Sequence, residues 1–318
     1  MFKSKKIFSW LCLLSSIVIL TIATHPVLSH PGDTTEQIVA QNDQEIDVKA
    51  VPVRDNIYMI KGDGGNIGLS VGDEGALMID SQYASLSDRI SQTVAVVNND
   101  KPIRYLINTH YHKDHTDGNI NFAKKGITII SHDNVPKQMR VPHEYKILGM
   151  TTEAVETEAL PKITFSDNTR FALNDNYIHA FHIPLAHTDG DIVVHFTRKN
   201  VIHTGDLFFN GFYPFIDTTV GGSLDGMIQA IDRILPLCNK DTLIIPGHGP
   251  LGDKDELMAF QDMLKTVSTR LKVGIQANQS AEDMLQEGLF NDLDEVWSKG
   301  FLSTEKFIKI AYQGAVKS

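Results

Sequence analysis

Residues 103–118 read IRYLINTHYHKDHTDG, an apolar run that turns polar within a few positions. The first half, IRYLINT, is predicted to be a buried β-strand because it is short, apolar and bounded by polar residues. Three histidines and two aspartates then fall within the eight residues from His110 to Asp117. Such a stretch is either a polar surface loop or the larger part of a metal site.

The spacing of these side chains favours the metal site. His110 and His112 are two residues apart, so in extended backbone their side chains point to the same side. Asp114 and His115 follow where the chain turns toward a helix predicted over 119–126. Imidazole nitrogens suit Zn²⁺, and a carboxylate adds a harder, anionic ligand. A local group of this size does not close a site, so further ligands are expected at other strand ends.

Three later residues occupy such positions. His187 lies between two predicted strands in IPLAHTDGDIVV, Asp206 follows a strand in VIHTGDLFF, and His248 follows a buried strand in TLIIPGHGP. The prolines and glycines around them are typical of tight turns, which would hold each side chain rigidly. The other histidines of the later chain are expected to have core, edge or surface roles, with His132 the nearest to the site: His132, His143, His179, His182, His195 and His203.

This ordered set of motifs resembles that of the metallo-β-lactamase superfamily over about residues 53–250. The resemblance implies an α/β fold, the αββα sandwich, with two central mixed sheets flanked by helices and metals at the sheet edges. It implies two Zn²⁺ per chain, with Fe or Mn as alternatives. One metal would be held by His110, His112 and His187, the second by Asp114, His115 and His248, with Asp206 bridging both; Asp80, which ends GALMID, would orient a ligand without binding metal.

The resemblance also implies an activity. Hydroxide held between two metals would attack an ester, thioester, lactone or amide carbonyl, and Asp114 is the expected catalytic residue that orients it. Asp206 replaces the cysteine ligand of one β-lactamase subclass, so the site is more similar to that of glyoxalase II and the lactonases. A true β-lactamase, a mononuclear iron enzyme that oxidises persulfides and a noncatalytic binding protein are the alternatives on this fold.

The segment after Asp206 predicts an apolar substrate. Many β-lactamases carry a lysine three residues after the bridging ligand, where this chain has Phe209. Residues 207–216 are aromatic and uncharged, so Phe209, Tyr213 and Phe215 are predicted to form a hydrophobic cleft wall that binds substrate. The same aromatics would also suit a buried core.

Two loops are expected beside the cleft. Asn66 lies in the glycine-rich hairpin KGDGGNIG and is predicted to contact the substrate. Residues 133–161 have little clear periodicity and are expected to flank or cover the cleft, which is the usual role of long loops.

The N-terminus has the pattern of a secretory signal peptide. Three lysines precede an uncharged, Leu- and Ile-rich run over 7–23, and small residues precede a cleavage site near Ser29/His30. A periplasmic or secreted protein is therefore expected, with an uncleaved membrane anchor as the alternative. Residues 1–29 would be the signal, 30–50 a flexible tail, and 51–318 one domain whose C-terminal helices begin at about 253.

Composition limits the partners. The chain has 318 residues and a formal net charge of −10, which argues against nucleic-acid binding by clustered cations. The expected partner is a small-molecule substrate, and a membrane only if the signal segment stays attached. The two cysteines are Cys12 and Cys238, so removal of the signal would leave one thiol and no internal disulfide.

Overall fold

Fourteen strands and nine α-helices account for most of residues 46–317, the part of the chain that a computed structural model describes. The strands are β1 (Lys49–Arg54), β2 (Ile57–Lys61), β3 (Ile67–Ser70), β4 (Ala76–Ile79), β5 (Ile103–Ile107), β6 (Thr128–His132), β7 (His143–Tyr145), β8 (Met150–Thr152), β9 (Ile163–Phe165), β10 (Asn168–Leu173), β11 (Asn176–Ile183), β12 (Asp191–Phe196), β13 (Val201–His203) and β14 (Leu243–Ile245). The helices are α1 (Ser87–Val97), α2 (Lys113–Thr116), α3 (Asn119–Lys124), α4 (Val135–Gln138), α5 (Leu224–Ile234), α6 (Lys254–Gln276), α7 (Ala281–Gln286), α8 (Asn291–Trp297) and α9 (Thr304–Lys317).

The strands form two mixed sheets and a small hairpin. The first sheet has the order β1-β2-β3-β4-β5-β6-β9, and the second has the order β10-β11-β12-β13-β14. In the first sheet, β4, β5, β6 and β9 are parallel neighbours, whereas β1 to β4 are antiparallel. In the second sheet only β13 and β14 are parallel.

Alternating side chains of the strands build separate apolar layers. In β4, Leu77 and Ile79 face the layer between the sheets, while Met78 faces the opposite side. Because successive residues of a strand point to opposite faces, a strand covered on both sides is apolar throughout. The outer face of the first sheet packs against α1 and α3, and that of the second against α5, α6 and α9. The predicted αββα sandwich is confirmed.

Three of the later helices, α5, α6 and α7, begin at capping residues. Ser223 accepts from the backbone of Gly226 at the start of α5, and Asp253 with Glu256 forms a capping box at the start of α6. Among the C-terminal helices, α7 ends at Gln286 and is followed by the short helix α8. Gly288 separates the two with a φ of 72°, a conformation that favours glycine.

Two segments differ from what the sequence predicts. β1 begins at Lys49, inside the predicted tail, because Ile46, Val48 and Ala50 pack against the core beside α1. Residues 133–161 are more ordered than their aperiodic sequence suggested, since they contain α4 and the β7–β8 hairpin. The predicted signal peptide and most of the predicted tail lie outside the described residues.

Cys238 is buried and has a free thiol. Its thiol contacts the carbonyl of Ile234 at 3.5 Å, and burial raises its pKa to about 11. Within residues 46–317, no helix combines the length and the apolar character needed to cross a membrane.

Candidate metal centre

The polar residues that the sequence singled out follow strands of both sheets. Asp80 follows β4 directly, and the His110–His115 stretch follows its parallel neighbour β5. His187 connects β11 to β12, whereas Asp206 follows β13 and His248 follows its parallel neighbour β14. Carboxyl ends of parallel neighbours lie at one sheet edge, so each sheet brings its polar turns together.

The first group of candidate ligands contains three histidines and one aspartate. His110, His112, His187 and Asp206 are all buried, and one donor atom of each lies within 4.8 Å of the others. Nε2 of His187 lies 2.9 Å from Nδ1 of His112 and 3.3 Å from Oδ2 of Asp206. Nε2 of His110 lies 3.8 Å from the same carboxylate oxygen.

The second group is formed by Asp114, His115 and His248, with the same spread of donor atoms. Nε2 of His248 lies 3.1 Å from Oδ2 of Asp114 and 3.3 Å from Nε2 of His115. Asp114 and His248 are partly exposed, whereas His115 is fully buried. This group therefore forms the side of the centre that is open to solvent.

Asp206 joins the two groups. Its Oδ1 lies 3.0 Å from Nε2 of His115, and its Oδ2 lies 3.3 Å from Nε2 of His187 and 3.5 Å from Nε2 of His248. One carboxylate thus faces donors of both groups, as the resemblance implied for a bridging ligand. All seven predicted ligands are brought together.

The tautomers of the histidines fit cation binding. Nδ1 of His187 donates to the carbonyl of Phe215 at 2.8 Å, and Nδ1 of His115 donates to Asp80 at 2.8 Å, which leaves each Nε2 with its lone pair toward the centre. Nε2 of His110 is buried without a hydrogen-bond partner. Buried nitrogens that converge on one another and on one shared carboxylate are expected of metal ligands.

Asp80 supports His115 directly and His110 through Thr109. Its carboxylate accepts from the backbone N–H of Thr109 at 2.7 Å, from the Thr109 hydroxyl at 2.7 Å and from His115. The Thr109 hydroxyl oxygen in turn lies 3.0 Å from Nδ1 of His110. Asp80 has a φ of 67°, an unusual conformation that Asp tolerates better than most residues and that turns its side chain toward the centre.

A second supporting carboxylate, Asp217, was not predicted. Nε2 of His112 donates to it at 3.1 Å, so His112 presents Nδ1 to the centre. Asp217 also accepts from the hydroxyl of Tyr111, which lies 3.1 Å from that of Tyr145. Burial alone would raise the pKa of Asp217, but the contacts with His112, Thr219 and Tyr111 hold it below its usual range.

Asp191 is a third unpredicted carboxylate. It accepts from the backbone N–H groups of His187 and Thr188 at 2.8 and 2.9 Å and from the Thr188 hydroxyl at 2.6 Å. Burial raises its pKa to about 7. These contacts fix the turn that carries His187, so they position a ligand through the backbone.

Glycines allow two backbone segments to reach the centre. A Cβ at Gly65 would lie 2.1 Å from Cε1 of His115, and a Cβ at Gly247 would lie 2.0 Å from Oδ1 of Asp206. The glycine-rich hairpin therefore serves close packing against a ligand histidine, and not turn geometry alone.

The protonation states differ across the centre. Burial, together with neighbouring histidines, holds the pKa of His110 well below its usual value and lowers that of His187 to about 4. Burial also favours lower pKa values for His115 and His248. The carboxylates of Asp206 and Asp114 outweigh it and raise both pKa values, that of His248 to about 9. Metal binding at the second group must therefore displace protons.

The remaining histidines of the described chain lie outside both donor groups. His132 stacks on His182 with ring centroids 3.6 Å apart, and His132 also lies 3.0 Å from the carbonyl of Ser166. His203 bridges the sheets, because Nε2 donates to the carbonyl of Asn66 while Nδ1 accepts from Gly205. His143 lines the cleft and lies 2.9 Å from the carbonyl of Gln138, whereas His179 and His195 pair across neighbouring strands.

A cleft of about 900 Å³ opens onto the centre. His112, Asp114, Asp206 and His248 reach its floor. Residues 138–159 supply much of its wall, as expected of this segment, and most of the apolar lining comes from two parts of the chain: Met139, Val141, Tyr145, Leu148 and Met150, and Phe209, Phe212, Tyr213 and Phe215.

The four predicted substrate-binding residues have different environments. Phe209 stacks on His248 with ring centroids 5.1 Å apart. The ring centroid of Phe215 lies 5.5 Å from those of both His112 and Tyr145. Tyr213 touches the cleft but is buried and stacks on Phe307, so it belongs mainly to the core.

The prediction for Asn66 requires correction. Asn66 does not line the cleft, and its amide donates to the carbonyls of Pro246 and Gly249 at 3.0 Å each. Both amide hydrogens are thus used to hold the turn that carries His248. Asn66 is a positioning residue and has no free donor to offer a substrate.

Comparisons with known proteins agree with this geometry. Residues 60–248 match the family model of the metallo-beta-lactamase superfamily. A probable hydroxyacylglutathione hydrolase from Schizosaccharomyces pombe is 26% identical over 154 residues, which are 48% of this chain and 50% of that protein. The chain thus spans half the length of this curated relative.

Solved structures share the fold at low sequence identity. A metallo-beta-lactamase from Pontibacter korlensis matches with a TM-score of 0.58 and 17% identity, over 69% of this chain and 99% of that one. A stereoselective inverting sec-alkylsulfatase from Pseudomonas sp. matches with a TM-score of 0.64 and 16% identity, over 84% of this chain and 50% of that one. Because the matched family model spans more than half of the chain and ends on the ligand-bearing turn of His248, this protein belongs to the metallo-β-lactamase superfamily of hydrolases.

Proposed function

We propose that this chain is an exported dinuclear metal-dependent hydrolase that cleaves an ester, thioester, lactone or amide bond of a hydrophobic substrate. The observation that carries the proposal is Asp206, whose two oxygens face the histidines of both donor groups at 3.0 to 3.8 Å. Such a bridging carboxylate, with three further donors on either side, fits two cations a few ångströms apart.

The chemistry divides between the metals and the protein. When bound, two divalent cations supply Lewis acidity and make water nucleophilic near neutral pH. Zn²⁺ suits the mixed histidine and carboxylate set, and Fe or Mn are alternatives. The histidines and Asp206 fix the donor geometry. The ring nitrogens that point away from the centre are held in place, that of His115 by Asp80, that of His112 by Asp217 and that of His187 by the carbonyl of Phe215.

Asp114 is the proposed catalytic residue. Unlike the buried donors, it is partly exposed and lines the cleft, so its carboxylate can orient an attacking water. Burial and Asp206 disfavour the ionised form, but His115 and His248 outweigh them and keep the pKa of Asp114 low. Bound cations would take the place of the protons on these histidines, so the carboxylate stays ionised throughout the neutral range.

The apolar wall supports a hydrophobic substrate. Phe209 and Phe215 lie directly against ligand histidines, so a group bound between them would be held beside the reacting bond. Phe209 also occupies the position from which a lysine would grip a substrate carboxylate, which supports a lactonase or esterase over a true β-lactamase. Export rests on the N-terminal sequence pattern, and the expected location is periplasmic or secreted.

A substrate panel with metal reconstitution tests the proposal. Purified protein is stripped with a chelator, reloaded with Zn²⁺, Mn²⁺ or Fe²⁺, and assayed on lactones, thioesters, 4-nitrophenyl esters of increasing acyl length, a chromogenic cephalosporin and a phosphodiester. We expect metal-dependent hydrolysis of the carbonyl substrates, with kcat/KM rising along the acyl series. Cephalosporin hydrolysis near the diffusional range, or oxygen uptake with a persulfide in place of hydrolysis, would overturn the proposal.

A further inference from the structure

The charged side chains around the cleft are mostly acidic. Asp63, Asp117, Glu153 and Glu156 line it in addition to the candidate ligands Asp114 and Asp206. Among the described residues that line it, Lys113 is the one lysine or arginine. The rim outside the candidate ligands therefore carries four carboxylates against one ammonium group.

Lys113 is poorly placed to anchor an anion inside the cleft. Its side chain is 61% exposed, and its ammonium group lies 3.8 Å from Asp117. The second oxygen of Asp117 accepts from the backbone of Ala84 at 2.9 Å, which fixes this carboxylate at the rim. Lys113 thus offsets Asp117, and within residues 46–317 no ion pair compensates Glu153 or Glu156.

An anionic group at the far end of a substrate would meet two penalties here. It would leave water for a wall built of Met139, Leu148 and Phe215, where no cationic partner replaces its hydration. It would also approach carboxylates within about a Debye length, so the repulsion would depend on ionic strength. A cationic group would be attracted by the same rim, and a neutral group would experience neither effect.

We propose that the cleft selects substrates that are cationic or neutral at the end remote from the cleaved bond and rejects anionic ones. This inference rests on the proposed function, and it adds a charge preference for the end of the substrate that lies away from the metal centre. Glu153 and Glu156 are the residues that we infer to set this preference.

Three esters with one apolar body test the preference. They are 4-nitrophenyl hexanoate, its analogue with a terminal trimethylammonium group, and the 4-nitrophenyl half-ester of adipic acid. At low salt the metal-loaded protein should show a kcat/KM for the half-ester at least about fivefold below that for the cationic ester, and the gap should narrow in about 0.5 M NaCl. Equal values, or a preference for the half-ester, would overturn the inference.

A binding experiment separates this inference from the proposed function. The three matching 4-nitroanilides are titrated by calorimetry into chelator-treated protein, which has no metal with which to turn them over. The same order of affinity is expected even if none of the esters is hydrolysed. If the esters are cleaved but neither the binding affinity nor kcat/KM depends on the terminal charge, the proposed charge preference is wrong and the proposed hydrolase function stands.

Matched double variants identify the residues. Glu153→Lys with Glu156→Lys should shift the preference toward the anionic ester and anilide by several-fold. Glu144→Lys with Glu158→Lys is the control, since both glutamates are exposed, lie in the same segment and do not line the cleft. The net charge changes equally in both variants. An equal shift in the control pair would contradict a role for the cleft rim.

Discussion

Replacing Asp206 with alanine is expected to lower kcat by roughly 10³-fold or more, the scale reached when a central electrostatic group of an active site is lost. The reason is its position, since its carboxylate faces His115 at 3.0 Å, His187 at 3.3 Å and His248 at 3.5 Å. Without it, the two donor groups share no ligand, and the bound metal should fall to about one equivalent or less. Steady-state kinetics and metal analysis of the same preparation measure both effects.

Asp241→Ala is the matched control for this variant. Asp241 is an exposed aspartate in the turn before β14, at the opposite end of this strand from the turn that carries His248. Its replacement should change neither activity nor metal content. Circular dichroism spectra are used to check that both variants are folded. An active Asp206→Ala protein would contradict the bridging role of Asp206, on which the proposed function depends.

Asp80→Ala is expected to cost about 3 kcal/mol of unfolding free energy and to weaken metal affinity by roughly 10- to 100-fold. Asp80 is fully buried and accepts three hydrogen bonds, two from Thr109 and one from His115. Alanine leaves these buried donors without an acceptor and also suits the positive φ of this position poorly. Chemical denaturation of metal-free protein and competition with a chromogenic chelator provide the two measurements.

Asp80→Asn separates the structural effect from the effect on the metal. Asparagine tolerates the positive φ and can still accept from Thr109, so much of the stability should return. Its amide cannot provide the negative charge that orients and polarises His115, so metal affinity should stay low. If Asp80→Asn restored full metal affinity, Asp80 would be a folding residue alone. Asp88→Ala, on the exposed face of α1, should stay within about 0.5 kcal/mol of the parent protein.

Much of the candidate metal centre could be predicted because its residues occupy strand ends with recognisable spacing. The alternation of His110 and His112 on extended backbone needs no tertiary information, and His187, Asp206 and His248 each stand beside turn-forming residues. The αββα layers could be predicted in a similar way, since uniformly apolar strands such as β4 and β14 indicate burial on both faces.

The contacts that support the candidate ligands could not be predicted from the sequence in the same way. Asp217 reaches His112 across 105 positions, and nothing near Asp217 in sequence distinguishes it from a surface aspartate. Asn66 was predicted to contact the substrate because its hairpin was expected beside the cleft. In the folded chain its side-chain amide instead donates to the carbonyls of Pro246 and Gly249. The β7–β8 hairpin has strands of three residues, which are too short for an alternating pattern to be read.

The metal content of the purified protein tests the central claim most directly. The full chain is purified without added metal or chelator and analysed by inductively coupled plasma mass spectrometry, with protein quantified by amino-acid analysis. Two groups of converging donors joined by Asp206 predict about two equivalents of Zn, Fe and Mn in total per chain. A total well below one equivalent, in protein that hydrolyses its substrate at full rate, would contradict the account.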